Sequence, residues 1–143
     1  MQLEPAKEPA SSRRTGADEP SRPVSRSQVK YRLVIDEFGG WDRYQELLAE
    51  LARIGAAHGV DAATVAMRFV LEQSAVAAVI CGATRMGQME RNARSFGFAL
   101  TESDHEALRA LLDRAPGPEG PVFGLERDRE GPHGRIMRYD LNR

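Results

Sequence analysis

Apolar positions fall into helical register over three stretches of the chain. Tyr44, Leu47, Leu48, Leu51 and Ile54 recur at three- and four-residue spacing, as do Val65, Ala66, Phe69 and Val70, and then Leu108, Leu111 and Leu112. Such spacing gives each helix one apolar face. Cap residues mark the ends. Asp42 with Gln45 reads as a capping box, Asp61 as the cap of the second helix, and Thr101 with Asp104 as the start of the last, with Leu100 as its staple. The first of these helices should stop near His58-Gly59 and the second near Gln73-Ser74. Pro116-Gly117-Pro118 ends the last, because proline cannot continue a helix.

A run of different character lies between them. AVAAVI, from Ala75 to Ile80, is short, small and unalternating. That is the pattern of a strand buried on both faces of a parallel sheet. Cys81, Gly82, Ala83 and Thr84 break it. A helix then runs from about Arg85 to Phe96, with Met86, Met89, Ala93 and Phe96 expected inward. Upstream, YRLVIDEFGG reads as an extended or loop segment closed by the Gly39-Gly40 break. The predicted order is therefore helix, helix, strand, helix, helix. One strand is not a sheet, and a buried parallel strand needs a neighbour on each side. The pattern is that of part of an α/β fold whose other strands lie elsewhere.

Composition changes this picture at the two ends. Residues 1–30 hold four prolines, charges of both signs and almost no large apolar side chains. Such a segment cannot bury enough surface to offset its ordering entropy, so it reads as a disordered or extended tail. Residues 116–143 are polar with scattered Phe, Leu, Ile, Met and Tyr, a tail that is ordered only if it docks. The periodic region is 31–115. The whole is one domain's worth of chain, 143 residues with 41% hydrophobic and 29% charged side chains.

A formal net charge of −1 argues against a nucleic-acid footprint or a polybasic membrane patch. No apolar stretch approaches the roughly 20 residues of a membrane helix, and the N-terminus lacks the apolar run of a secretory signal. The single cysteine excludes an intrachain disulfide. A cytoplasmic protein, binding neither nucleic acid nor membrane, is the expectation.

The chemistry worth weighing sits at the junction after AVAAVI. A helix that starts there presents free N–H groups and partial positive charge to an anion. Gly82 lets backbone approach closely, Thr84 adds a hydroxyl, and Arg85 adds a planar fork suited to phosphate. Gln88 and Asn92 lie three and seven residues beyond Arg85 on one helical face, where their amides could read a purine edge. The same residues also make an ordinary turn, a capped helix and a solvated arginine, and the residues alone leave both readings open.

VAAVICGATRMGQMERN resembles the C-terminal cofactor motif of the aldo-keto reductase family, a Gly-Ala-x-Arg turn followed by a Gln and an Asn. HGVDAATVAMRFVLEQSAVAAVI is similar to that family's preceding helix and last barrel strand, and FALTESDHEALRALL to the helix after it. The resemblance covers Tyr31 to about Ala115. It implies an α/β fold, the C-terminal fragment of a (β/α)8 TIM barrel, mostly helical with one buried strand. It implies NADPH as cofactor, with Arg85 on the 2′-phosphate, Gln88 and Asn92 flanking the adenine, and backbone contacts near Gly82, Ala83 and Thr84. Phosphate sites of such barrels lie after the last strands.

Departures accompany the resemblance. The family's catalytic Asp, Tyr, Lys and His come from earlier strands, and no residue here matches them. Arg91 stands where the family often has an acid, and Cys81 where a proline is common. The chain alone is expected to be no competent enzyme, and to seek the missing barrel portion or another chain. The alternative is a small helical interaction module that has lost the family's chemistry.

The remaining candidates read blandly. His58, His105 and His133 lie far apart without metal spacing and read as surface histidines. Cys81 reads as a buried, inert thiol. Asp36-Glu37 reads as a solvated acid pair, Trp41 as a packing anchor and Met86/Met89 as core. Tyr31, Tyr44 and Tyr139 have no lysine and histidine arranged around them.

Overall fold

The structure, a computed structural model, describes residues 25–137. Most of the tail assigned to residues 1–30 and Tyr139 lie outside the described residues. Among the described residues seven α-helices follow one another: α1 Arg26–Phe38, α2 Trp41–His58, α3 Ala62–Leu71, α4 Met86–Ala93, α5 Glu102–Leu112, α6 Val122–Arg127 and α7 Pro132–Arg135. A single 3₁₀ turn, Arg94–Phe96, extends α4. The described residues contain no strand.

The core is where the helical periodicity places it. Leu51 and Ile54 of α2, Val65 of α3, Leu100 just before α5 and Leu108 within it are buried together. Leu47, Val60, Ala62, Ala66, Phe69 and Phe98 pack around them. The sharp α2–α3 corner brings backbone close to backbone: a Cβ on Gly55 would lie 2.6 Å from Val60 O. Asp61 caps α3 as expected, its Oδ1 accepting from Thr64 N at 2.8 Å. Thr101 and Asp104 form the expected box at α5, and Leu100 beside it is buried. Val70 and Leu112, expected inward, are exposed at the edges of their faces.

The start of the described chain corrects one expectation. YRLVIDEF is not extended; it is the body of α1. Ser25 Oγ accepts from Gln28 N at 3.2 Å and Gln28 Oε1 accepts from Ser25 N at 3.0 Å, a complete capping box. Part of the segment read as tail is thus helical. Gly39 and Gly40 turn the chain into α2 with φ of 117° and 90°. L side chains rarely adopt such angles. Gly40 itself is the N-cap of α2, and Asp42 falls in its first turn rather than capping it.

The larger correction concerns AVAAVI. It pairs with no strand among the described residues and is not buried on both faces: Ile80 is fully exposed, and only Val76 and Val79 are half-buried. Sheet pairing is non-local, and the described residues offer it no second strand. Without a sheet beneath it, α4 turns its apolar residues outward as well. Met86, Met89 and Phe96 are exposed. What holds this element to α3 is polar: Arg68 Nη1 donates to Ser95 O at 3.4 Å, and Thr64 Oγ1 lies 3.5 Å from Arg91 O.

The segment 116–137 is ordered and folds back on α1. His133 of α7 reaches Glu37, and Lys30 pairs with Glu126 of α6.

Candidate functional site

The junction Cys81–Asn92 is built as a surface feature. Cys81, Gly82, Ala83, Thr84 and Arg85 are all exposed. Cys81 is therefore an open thiol and not the buried one expected. Gly82 has open space where a Cβ would sit. Arg85 is the N-cap of α4, with extended backbone at φ −136°, ψ 148°. Its guanidinium has no acceptor, so it cannot return the bond that a Ser or Asp cap would make.

Gln88 supplies the cap instead. Its Oε1 accepts from Thr84 N at 2.6 Å and from Arg85 N at 2.9 Å, with Thr84 Oγ1 at 3.3 Å. A side-chain carbonyl thus holds the two backbone donors that face the turn. The arrangement has the donor set for one phosphate: two backbone N–H groups, a hydroxyl and an exposed guanidinium. A phosphate taking those N–H groups would displace the Gln88 carboxamide.

Asn92 is seven residues beyond Arg85 on the same helix. It is half-buried, with Nδ2 buried and unbonded, while its backbone O accepts from Ser95 Oγ at 2.7 Å. Arg91 and Arg94 add positive charge on the flank. They help to hold Asp61 low: burial pushes that carboxyl up, but bonds from the Thr64 hydroxyl and N–H and the two arginines outweigh it. The structure therefore brings Thr84, Arg85 and Gln88 into contact, and leaves Asn92 one turn further on, facing inward.

Residues that read blandly in the sequence do more. All three histidines join elements distant in the chain. His58 Nε2 donates to Asp104 Oδ2 at 2.9 Å, His105 Nε2 to Glu72 Oε2 at 2.6 Å, and His133 Nε2 to Glu37 Oε1 at 2.8 Å. None is a plain surface histidine, and His133 is only 1% exposed. Glu37 is likewise no solvated acid, and Asp36 accepts from Arg32 Nε at 2.9 Å. Trp41 is half-buried and its ring packs on Tyr44 at 5.6 Å.

Asp104 is the most strongly perturbed of these acids. Burial pushes its carboxyl up, but the bonds from His58, from Thr101 N and Thr101 Oγ1, and the charge of His58, hold it at about 2. Glu72 is also lowered: burial opposes, while Arg68, Leu100 N and His105 prevail. Each pair joins one helix to another or to its cap, so these are structural joints. The signal was unreadable along the chain, since the partners lie 46, 33 and 96 residues apart.

Among the described residues no group of three or more His, Cys, Asp or Glu could hold a metal ion. Lys30 is tied to Glu126, and Tyr31 beside it is exposed. Among the described residues no single helix is long and apolar enough to cross a membrane.

The family model for the aldo/keto reductase family matches residues 5–113. No curated protein and no solved structure matches the chain.

Proposed function

The chain belongs to the aldo/keto reductase family, and from that premise we propose that it is the C-terminal part of an NADP(H)-dependent oxidoreductase barrel. In this reading it carries the half of the cofactor site that meets the adenosine 2′-phosphate. Arg85 and the Thr84 hydroxyl bind the phosphate, with the backbone around Gly82 and Ala83 close by. Gln88 and Asn92 lie toward the adenine. The observation that carries the reading is the exposed Arg85 guanidinium at the N-cap of α4, beside the two N–H groups that Gln88 Oε1 now holds. When bound, the nicotinamide end of the cofactor would supply or accept a hydride. This chain's own residues would only bind and orient the adenosine end, so the isolated chain is inactive. The missing barrel portion, or another chain, is then its partner.

Arg85→Ala tests this. A charge-assisted bond to phosphate is worth roughly 1.5–3 kcal/mol, or about a 10- to 150-fold loss of NADPH affinity. NADH, which lacks the 2′-phosphate, should bind as before. The measurement is titration calorimetry on the segment joined to the missing strands of a related barrel. Equal losses for both cofactors would show that Arg85 serves the fold and not the phosphate.

One observation favours a second reading, a non-catalytic helical interaction module derived from the family. The α2–α3–α5 core closes without any strand, and AVAAVI stands outside it. The two readings part at the coding sequence upstream of Met1. Strands bearing Asp, Tyr, Lys and His there favour the divided enzyme, and their absence favours the module.

A further inference from the structure

Residues 116–137 lie beyond the stretch that matches the family, and none of their described apolar side chains belongs to the apolar core or is among those packed against it. They are held to α1 through Glu126, His133 and Gly117 among others. Lys30 pairs with Glu126 of α6. His133 Nε2 donates to Glu37 Oε1 at 2.8 Å. Gly117 lies against the Glu37 backbone, where a Cβ would stand 3.3 Å from Glu37 O. Lys30 and Glu37 are two turns apart on one face of α1.

This joint is balanced in an unusual way. The His133–Glu37 bond is part-buried, yet the second oxygen, Glu37 Oε2, and the second ring nitrogen, His133 Nδ1, are buried with no hydrogen-bond partner. Closing the joint gains one charge-assisted bond and strands two polar atoms that water would satisfy. Phe123, the large aromatic of α6, is exposed, stacked under Arg127 and not on α1. The link from α5 to α6 is non-helical and contains Pro116, Pro118 and Pro121. A segment outside the apolar core, tied to α1 by polar contacts and reached through an irregular link, has the features of a unit that opens locally.

We propose that residues 116–137 are a strap on α1, latched by His133 on Glu37, which opens as a unit while the α2–α3–α5 core stays folded. Opening uncovers the α1 face between Lys30 and Glu37. Neither the latch nor the strap depends on cofactor binding.

Amide hydrogen exchange on the full chain tests it. The reporters are the bonded amides of Leu125, Asp128, Gly131, Arg135 and Met137. In the wild type these should exchange at least tenfold faster than the amides of α2 and α3. His133→Gln and Glu37→Gln should each speed them by about ten- to a hundredfold more, with α2 and α3 unchanged and the double variant no faster than either single one. Should either variant fail to fold, Lys30→Met is the second probe, and it should speed the α6 and α7 reporters together. Strap amides that exchange at the rate of α2 and α3 in the wild type would overturn the proposal. So would variants that accelerate all helices equally, or Lys30→Met acting on α6 alone.

Discussion

Replacing Asp104 by asparagine removes the charge at the joint between α2 and α5 while keeping the shape of the side chain. In the wild type Oδ2 accepts from His58 Nε2 at 2.9 Å, Thr101 N at 3.0 Å and Thr101 Oγ1 at 2.7 Å. These contacts hold the carboxyl at about 2, against an ordinary 3.8. Because the folded value is the lower one, the stabilisation is present above the unfolded value and disappears as pH falls from about 4 towards 2. At about 1.36 kcal/mol per unit, the difference between 3.8 and about 2 corresponds to roughly 2 kcal/mol. The residue is buried, so solvent screening takes little of this away.

Asp104→Asn should therefore be about 2 kcal/mol less stable than the wild type at pH 5, and the gap should close towards pH 2. Urea unfolding followed by helical circular dichroism, at half-unit steps between pH 5 and 2 and at low protein concentration, gives both curves. Glu72 is lowered as well and acts in the same direction, so the variant retains some acid sensitivity of its own. Parallel wild-type and variant curves over the whole range would refute the reasoning, because the charge of Asp104 would then contribute nothing.

Ile54→Ala should cost about 2–5 kcal/mol by the same unfolding assay, since Ile54 is fully buried at the centre of the core; a loss below 1 kcal/mol would mean that the α2–α3–α5 packing is loose. Exposed Ile80, Met86, Met89 and Phe96 should drive association of the isolated chain, and Ile80→Lys with Phe96→Glu should reduce it in sedimentation velocity. A wild type that stays monomeric with a well-dispersed NMR spectrum would contradict this. The purified chain should oxidise no NADPH with a panel of aldehydes and ketones, and turnover that survives repurification would overturn that expectation.

Helices whose signals are local were legible. Asp61 and Thr101 announce α3 and α5 because a cap is a contact across three residues, and the α2 face follows from spacing alone. α1 was hidden by its own composition. Val29, Leu33, Val34 and Ile35 look extended, and the Ser25–Gln28 box that starts the helix lies inside a stretch whose prolines and charges suggested no structure. The fate of AVAAVI was not legible at all. A small apolar run records the capacity to pair, and whether a partner strand is present is not written within it. The candidate site divides in the same way. The Thr84–Gln88 contacts are local, spanning four residues, although Gln88 reads in the sequence as facing an adenine and not as the cap of α4, whereas the histidine joints depend on how distant helices meet.

The exposed connection between α3 and α4 bears on how much of the chain must be covalently continuous. No residue from Ser74 to Arg85 belongs to the core. The segments before and after it are fastened to each other by Glu72 to Leu100 N and His105, by His58 to Asp104, and by Leu51, Ile54 and Val65 against Leu100 and Leu108. A single protease cut near Gly82 would sever the backbone without separating the parts. The nicked protein would run as two bands in denaturant and as one species in native buffer. Two separately made peptides meeting at that point should assemble into the same fold, so this region is an opening where an inserted sequence could be carried at little cost to the helices around it.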